Sequence, residues 1–131
     1  MATQGQRHDD ALGYLKHLSE LRPNDVNIHV QHADLRKKTG DWQGVSDAQR
    51  KALALTEDSA QKKRLTQDMA EVLSARLDKH SEAADLLRAH AGEPMEDVAI
   101  LHELFRVYER EGNWPQLLVI GKRIMELVEE P

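Results

Sequence analysis

The chain contains two copies of one short segment, and this repetition restricts the fold more than any other feature of the sequence. Residues 36–42 read RKKTGDW, and residues 108–114 read YEREGNW. A glycine after a helix can take the left-handed backbone that ends it, and the Asp or Asn that follows can cap the next helix. Each copy therefore predicts a tight corner between two helices, with a tryptophan packed as a wedge where the second helix starts.

Composition favours helices in the rest of the chain as well. Of the 131 residues, 40% are hydrophobic but only 4% are aromatic, so the core must consist mainly of aliphatic side chains. Helix formers are abundant, and no stretch alternates β-branched with polar residues. We predict an all-α fold, with residues 1–8 disordered and seven helices joined by short connections. Their predicted bounds are about 9–22, 26–39, 42–55, 59–77, 82–91, 94–111 and 114–129.

The spacing of side chains in these helices resembles the tetratricopeptide repeat family, whose unit is two antiparallel helices in about 34 residues. The family's second-helix spacing is matched by Ala11, Leu15, Leu18 and Pro23. Its first-helix spacing is matched by Leu101, Leu104, Phe105 and Tyr108, where Phe105 replaces a small residue. Two further copies keep the spacing but lose most of the expected residue types. They comprise Val45, Gln49, Ala52 and Glu57, and His29, His32, Ala33 and Arg36.

The resemblance implies an α-solenoid of antiparallel helix pairs, with roughly three and a half repeats within residues 9–131. Gly40 and Gly112 are 72 residues apart (112 minus 40), which is two units of about 34 residues and about four more. We place the additional residues in the helix at 59–77. An insertion of about four residues makes about one helical turn, so it should leave the buried face of that helix unrotated.

The resemblance also implies that the chain binds another protein. In this family the first helices of successive repeats line a concave groove that receives an extended peptide or a partner helix. Transferred by motif position, the groove in this chain is lined by Asn27, Val30, Asp34, Lys37, Lys63, Thr66, Ala70, His102, Arg106 and Glu109. Its mixed charge suggests a polar or charged partner segment. Val30 and Asp34 stand where some members begin a clamp for a peptide carboxylate, so we predict no such clamp.

The last predicted helix suggests a second surface. Its apolar residues cover about half of its circumference, whereas a helix packed on one side usually needs a stripe of about 100°. They are Leu117, Leu118, Ile120, Ile124, Met125, Leu127 and Val128. We therefore predict an end interface at Leu118, Met125 and Val128. Self-association through this helix, as a segment of a longer solenoid, is the alternative to groove binding.

No catalytic or cofactor chemistry is predicted. The chain has no cysteine, no phosphate-binding glycine loop and no nucleophile-elbow serine. His29 and His32 are spaced by three on a helix and could share a metal with Asp25 or Asp34. Two nitrogen ligands without a firm third favour a packing role instead. We expect no metal site, no cofactor and no enzymatic activity.

The charge distribution argues against nucleic acid as a partner. The net charge is −5, and the basic triplets at 36–38 and 62–64 are flanked by acids. An RNA-binding helical repeat would need a basic concave face. The first ten residues lack the apolar segment of a secretory signal, and no apolar run is long enough to cross a membrane. These features predict a cytoplasmic protein without membrane insertion.

Overall fold

The chain is helical throughout most of the part that the computed structural model describes, which is residues 4–92 and 94–129, with side chains from Asp10 onward. Seven α-helices and no strand lie in these residues, which confirms the predicted all-α fold. The helices are α1 (Gln4–Leu21), α2 (Val26–Thr39), α3 (Trp42–Leu55), α4 (Ser59–Glu71), α5 (His80–Ala91), α6 (Val98–Glu111) and α7 (Trp114–Glu129). A π-helical turn, Val72–Arg76, extends α4.

Contacts group the chain into two compact units, one up to Leu65 and the other from Thr66. In the first unit α1 packs against α2, and α2 packs against α3. In the second unit α6 packs against both α5 and α7, and α5 also contacts the π turn. Consecutive helices are therefore paired within each unit. The predicted repeat domain over residues 9–131 stays a prediction.

The two units differ in the chemistry of their buried residues. Aliphatic side chains fill the second unit, and those fully buried are Leu73, Leu87, Ile100, Leu101, Leu104 and Ile120. Smaller or polar side chains are buried in α3 of the first unit, namely Val45, Ser46, Ala48, Gln49 and Ala52. Burying a leucine-sized side chain stabilises the fold by about 1.5–3 kcal/mol. These leucine and isoleucine positions therefore contribute more hydrophobic free energy than the smaller or polar buried positions of α3.

Both predicted corners are present, and they share the same backbone hydrogen bonds. Gly40 and Gly112 have left-handed φ angles of 77° and 75°. The amide after each glycine donates to the carbonyl five residues back, over 3.1 Å at the first corner and 2.9 Å at the second. Asp41 and Asn113 then cap the next helix, each accepting the amide three residues on, at 3.0 Å and 3.4 Å. This is the Schellman ending followed directly by an N-cap, as the repeated segment predicted.

The first helix begins earlier than predicted. α1 starts at Gln4, so residues 4–8, which were predicted to be disordered, are helical. Residues 1–3 lie outside the described residues. Asp9 and Asp10 were expected to cap the helix, but both lie inside it. Residues 4–10 contain no proline, so the helix can extend through them as far as Gln4.

Helix α6 begins at Val98 rather than at the predicted Pro94. Asp97 is its N-cap, and the Asp97 carboxylate accepts the amides of Ala99 at 3.1 Å and Ile100 at 3.4 Å. A carboxylate in this position satisfies amides that the first turn of a helix otherwise leaves unpaired. The cap, and not the proline, therefore sets the start of the helix. Helix α5 likewise begins at His80 instead of residue 82.

The helix predicted over residues 59–77 is not α-helical to its end. At Val72–Arg76 it widens into the π turn, where the amide of Leu77 donates to the carbonyl of Val72, five residues back, at 3.1 Å. Residues 72–74 are consecutive and all buried, and in an α-helix they would span about 200°, which is wider than the stripe that a helix packed on one side usually buries. The wider turn changes which side chains point inward. Whether the additional residues leave the buried face of this helix unrotated stays a prediction.

Candidate interaction surface

A serine, a histidine and an aspartate are hydrogen-bonded in line at the end of the π turn. Oγ of Ser74 lies 2.9 Å from Nδ1 of His80, and Nε2 of His80 lies 2.6 Å from Oδ1 of Asp78. Asp78 has a left-handed φ of 57°, which aspartate tolerates better than most residues and which ends the helix. Ser74 is buried and also accepts a hydrogen bond from Arg110 at 3.4 Å. The three side chains thus fasten the turn, and the serine oxygen is not accessible to a substrate.

The two histidines that were weighed as metal ligands each contact a protein group. Nε2 of His29 lies 3.0 Å from the carbonyl oxygen of Pro23, so this nitrogen carries the proton that it donates. Nε2 of His32 accepts a hydrogen bond from Nε of Arg36 at 3.3 Å. Burial, and then the nearby positive charges of Arg36 and Lys51, hold the pKa of His32 below its ordinary value of 6.5. His32 is therefore a neutral acceptor at pH 7.

The predicted groove residues of the first unit lie on α2 and α4. Asn27 and Asp34 are exposed, whereas Val30 and Lys37 are half-buried on the same helix. Lys63 of α4 is also half-buried. The α2 residues recur at helical spacing and form one row along that helix. Whether this row contacts a partner stays a prediction.

The predicted groove residues of the second unit divide into two groups. Thr66 and Ala70 are buried, so their side chains belong to the packing of the protein. His102, Arg106 and Glu109 are exposed, and their spacing places them along one side of α6. Substitutions that test the groove are therefore best made at its exposed and half-buried members.

A large apolar surface lies on α7. Leu118, Met125 and Val128, the predicted end interface, are 72%, 59% and 65% exposed, and Trp114 is 59% exposed. The predicted packing wedge is therefore wrong for Trp114, whereas Trp42 at the other corner is half-buried. Single apolar residues are common on protein surfaces, but a contiguous patch of them marks an interaction site.

A groove of about 670 Å³ opens along this surface between α6 and α7. Its apolar lining consists of Phe105, Leu117, Leu118, Ile124 and Met125. A Cβ atom on Gly121 would lie 3.3 Å from the ring of Phe105, so the glycine makes room for the ring between the helices. The sequence analysis noted that Phe105 replaces a small residue but did not identify Gly121 as its compensation. Lys122 and Glu126 place charges at the rim of the groove.

Two arginines connect α7 to the neighbouring parts of the second unit by hydrogen bonds. Arg88 of α5 donates from Nε to the hydroxyl of Tyr108 at 2.7 Å and from Nη2 to Oε1 of Gln116, also at 2.7 Å. Its guanidinium carbon lies 5.6 Å from the centre of the Tyr108 ring. Arg123 of α7 donates to the carbonyl of Met95 at 3.0 Å. These contacts join α5, α6 and α7, so the groove between the last two helices has fixed walls.

Comparison with known proteins identifies the fold. No protein-family model and no curated protein sequence matches the chain. The crystal structure of the MamA protein, a helical repeat protein of the tetratricopeptide type, superposes with a TM-score of 0.71 and 16% identity. The match covers 93% of this chain and 64% of the MamA chain, so this chain spans less than two thirds of that protein. At this identity the likeness shows the helical-repeat fold alone. Among the described helices, none has the length and apolar character needed to span a lipid bilayer.

Proposed function

We propose that this chain is a non-catalytic module that binds another protein. The observation that carries the proposal is the apolar face of α7, on which Leu118, Met125 and Val128 are each more than half exposed. Monomeric proteins rarely leave a contiguous patch of this kind uncovered unless a partner covers it. The helical-repeat fold supports the proposal, because stacked helices present extended surfaces to partners.

The polar clusters of the described residues support binding over catalysis because they already have structural roles. Ser74 fastens the π turn from a buried position, and His29 and His32 contact the Pro23 carbonyl and Arg36. A catalytic nucleophile needs an accessible position beside a general base. We therefore assign the function of the chain to its surfaces, and we propose a protein partner in preference to nucleic acid because the net charge is −5. The absence of cysteine suits a reducing compartment such as the cytoplasm.

The proposal can be tested by placing charge in the apolar face. The tagged chain would be compared with a Leu118→Asp, Met125→Asp double variant in binding to proteins of a native lysate. Val119→Asp is the matched control, because Val119 is also apolar and 57% exposed on α7 but points about 100° away from Leu118. We expect a specific partner to be lost from the double variant and retained by the control. Equal recovery of every bound protein by all three chains would overturn the proposal.

The predicted groove residues of each unit offer further binding surfaces, supported by the resemblance to tetratricopeptide repeats. The exposed and half-buried residues among them carry both charge signs, including Lys63 of α4 and Arg106 of α6. A partner segment with acidic residues would lose affinity if both were changed to glutamate. Lys63→Glu with Arg106→Glu is therefore the test, and the Leu118→Asp, Met125→Asp variant is the comparison. Loss of binding in the charge swap alone would assign the partner to the groove, and loss in the apolar variant alone would assign it to α7.

A further inference from the structure

The exposed apolar residues of α7 form one regular stripe. Trp114, Leu118, Gly121, Met125 and Val128 follow one another at steps of four, three, four and three residues. A repeat of about 3.5 residues keeps a stripe facing a neighbouring helix along its whole length. Four of the five residues are more than half exposed, and the fifth is the glycine. The stripe therefore has the spacing of a helix–helix contact; Gly121 at its centre faces Phe105 of α6, and the other four residues remain more than half exposed.

The first unit contains the equivalent face in a covered state. The corner glycines differ by 72 (112 minus 40), so adding 72 to a residue number of α3 gives its equivalent in α7. Ser46 corresponds to Leu118 and is 0% exposed, and Thr56 corresponds to Val128 and is 7% exposed. The equivalent positions along α3 and its C-cap are thus buried or, at Trp42 and Leu53, half-buried, whereas those of α7 are open, although the side chains of α7 are larger and more apolar. We expect an apolar face of this kind to be covered by a neighbouring helix or by a partner.

We propose that a second copy of this chain covers the stripe, with the two α7 helices antiparallel about a twofold axis near Gly121. This inference rests on the proposed binding function of the α7 face and names its partner. The stripe is symmetric about the glycine. Trp114 and Val128 each lie seven residues from Gly121, and Leu118 and Met125 lie three and four residues from it. The axis therefore places Leu118 beside Met125 of the second copy.

The area of the face reaches the lower limit for a specific interface and fits a reversible pair. Four apolar side chains that are each more than half exposed leave on the order of 500 Å² uncovered on one copy. Two such faces would bury about 1,000 Å² from these residues alone, which is where specific protein interfaces begin. The groove walls at Phe105 and Leu117 would add to this area.

Charge favours the antiparallel over the parallel arrangement, although Glu126 already pairs with Arg123 of its own helix at 3.4 Å. Glu126 and Glu129 lie near the C-terminal end of α7, and the first turn of the helix contains no acidic residue. A parallel pair would place the glutamates of the two copies side by side. An antiparallel pair places them beside the other helix's N-terminus, where the helix dipole and unpaired amides favour negative charge.

The first test measures the mass of the whole chain in solution. Sedimentation equilibrium over a concentration series is expected to give a monomer–dimer equilibrium for the unmodified chain and for Val119→Asp. The Leu118→Asp, Met125→Asp variant is expected to remain monomeric, with unchanged helical content by circular dichroism. A chain that stays monomeric at its highest soluble concentration overturns the inference. If the double variant still dimerises, another surface joins the copies and the inference is equally wrong.

The second test measures the arrangement of the helices. The chain has no cysteine, so Leu118→Cys and Met125→Cys each introduce one thiol as the reporter. The proposed geometry brings position 118 of one copy next to position 125 of the other. A short bis-maleimide linker should therefore cross-link a mixture of the two variants several-fold more efficiently than either variant alone. Efficient cross-linking of Leu118→Cys with itself would indicate a parallel pair and overturn the proposed axis.

The two tests also separate this inference from the broader proposal. A monomeric chain that loses a lysate partner only when Leu118 and Met125 become aspartate retains the binding function but not the self-pairing. A dimeric chain with the expected cross-link, but no other partner, supports the inference and limits the function of the face to self-association.

Discussion

The helix pair α2–α3 and the helix pair α6–α7 share one backbone plan but differ in what they bury. Asp25 and Asp97 cap the first helix of each pair, and both accept the amide two residues on, at 3.0 Å and 3.1 Å. The corners at Gly40 and Gly112 are also alike. Capping and turn chemistry therefore set the backbone of a pair independently of its core. The core residues then determine how stable each pair is and which of its faces stay open.

The difference is clearest at three equivalent positions in the first helix of each pair. His29, His32 and Arg36 occupy the places that Leu101, Leu104 and Tyr108 occupy in the second pair, since each number differs by 72 (for example 104 minus 32). The first set makes hydrogen bonds to Pro23 and among its neighbours. The second set is buried among aliphatic side chains, and the hydroxyl of Tyr108 accepts a hydrogen bond from Arg88. One pair is thus held more by polar contacts and the other more by hydrophobic burial.

The largest effect is expected when the second pair receives a residue of the first. Leu104→His places an imidazole in a fully buried aliphatic site, and we expect a loss of about 3–5 kcal/mol in the free energy of unfolding. Leu104→Ala is the control and should cost about 2–5 kcal/mol through the cavity alone. Urea unfolding measures both, with a Trp42→Phe background so that Trp114 reports on the second unit. A tolerated histidine would mean that the site holds a polar partner.

Replacing either corner glycine should lower the free energy of unfolding by the same amount, because the two pairs have the same backbone conformation there. Alanine at either position must adopt the left-handed region, which costs about 1–2 kcal/mol, and no neighbouring atom lies within 4 Å of the added Cβ. Gly40→Ala and Gly112→Ala are therefore expected to lower the free energy of unfolding by similar amounts. Thermal or urea unfolding checks this. A difference much larger than about 1 kcal/mol would show that the corners carry different strain in spite of their matching hydrogen bonds.

Substitutions of the equivalent side chains that precede the corners should lower the free energy of unfolding by different amounts. Tyr108→Phe removes the acceptor of the part-buried Arg88 hydrogen bond, whose tyrosine is only 5% exposed, and is expected to cost about 1–2 kcal/mol. Arg36→Met at the equivalent position removes an ion pair to Asp41 over 2.6 Å, but both side chains are about one-third exposed or more. Surface pairs of this kind contribute about 0–1 kcal/mol. Equal losses in urea unfolding would contradict the division into a hydrophobic and a polar pair.

The smallest effect concerns pH. Burial lowers the pKa of His32 below 6.5 in the folded chain, assisted by Arg36, Lys51 and His29 and opposed by Asp41. The unfolded chain therefore binds a proton at His32 more readily, and the free energy of unfolding should fall as the pH falls below 6.5. His32→Leu, which copies the second pair, should reduce this fall. The measurement is the difference between the two stability curves from pH 7.5 to 5, and identical slopes would contradict the assignment.

Helix boundaries could be predicted from sequence where a capping side chain and a glycine define them. Helices α2, α3 and α7 have the predicted bounds because Asp25, Gly40 and Gly112 act locally. The start of α6 was missed although the signal was present, since Asp97 is the repeat equivalent of Asp25. The π turn could not be predicted, because its hydrogen-bond spacing depends on burial of three consecutive residues by the rest of the unit.

The candidate site was predictable in part for the same reason. An excess of apolar residues on α7 is visible in sequence, and Leu118, Met125 and Val128 are indeed exposed. The exposure of Trp114 was not predictable from its twin, because Trp42 stands at the same corner position but is half-buried. Local patterns specify a helix and its apolar residues. The number of neighbouring helices decides which of those residues are covered.

The π turn at Val72–Arg76 has a consequence for how the fold tolerates a change in chain length. Inserting one residue into an α-helix normally rotates every later side chain by about 100°, which disrupts packing on both sides. Here the π turn follows the last α-helical turn of α4 and precedes the connection to α5, so the additional residue lies at the end of a helix and not in its middle. We expect deletion of one residue between Val72 and Arg76 to restore α-helical spacing at modest cost. We expect this segment to accept a change of one residue in length with less effect on the neighbouring helices than the middle of α4 would.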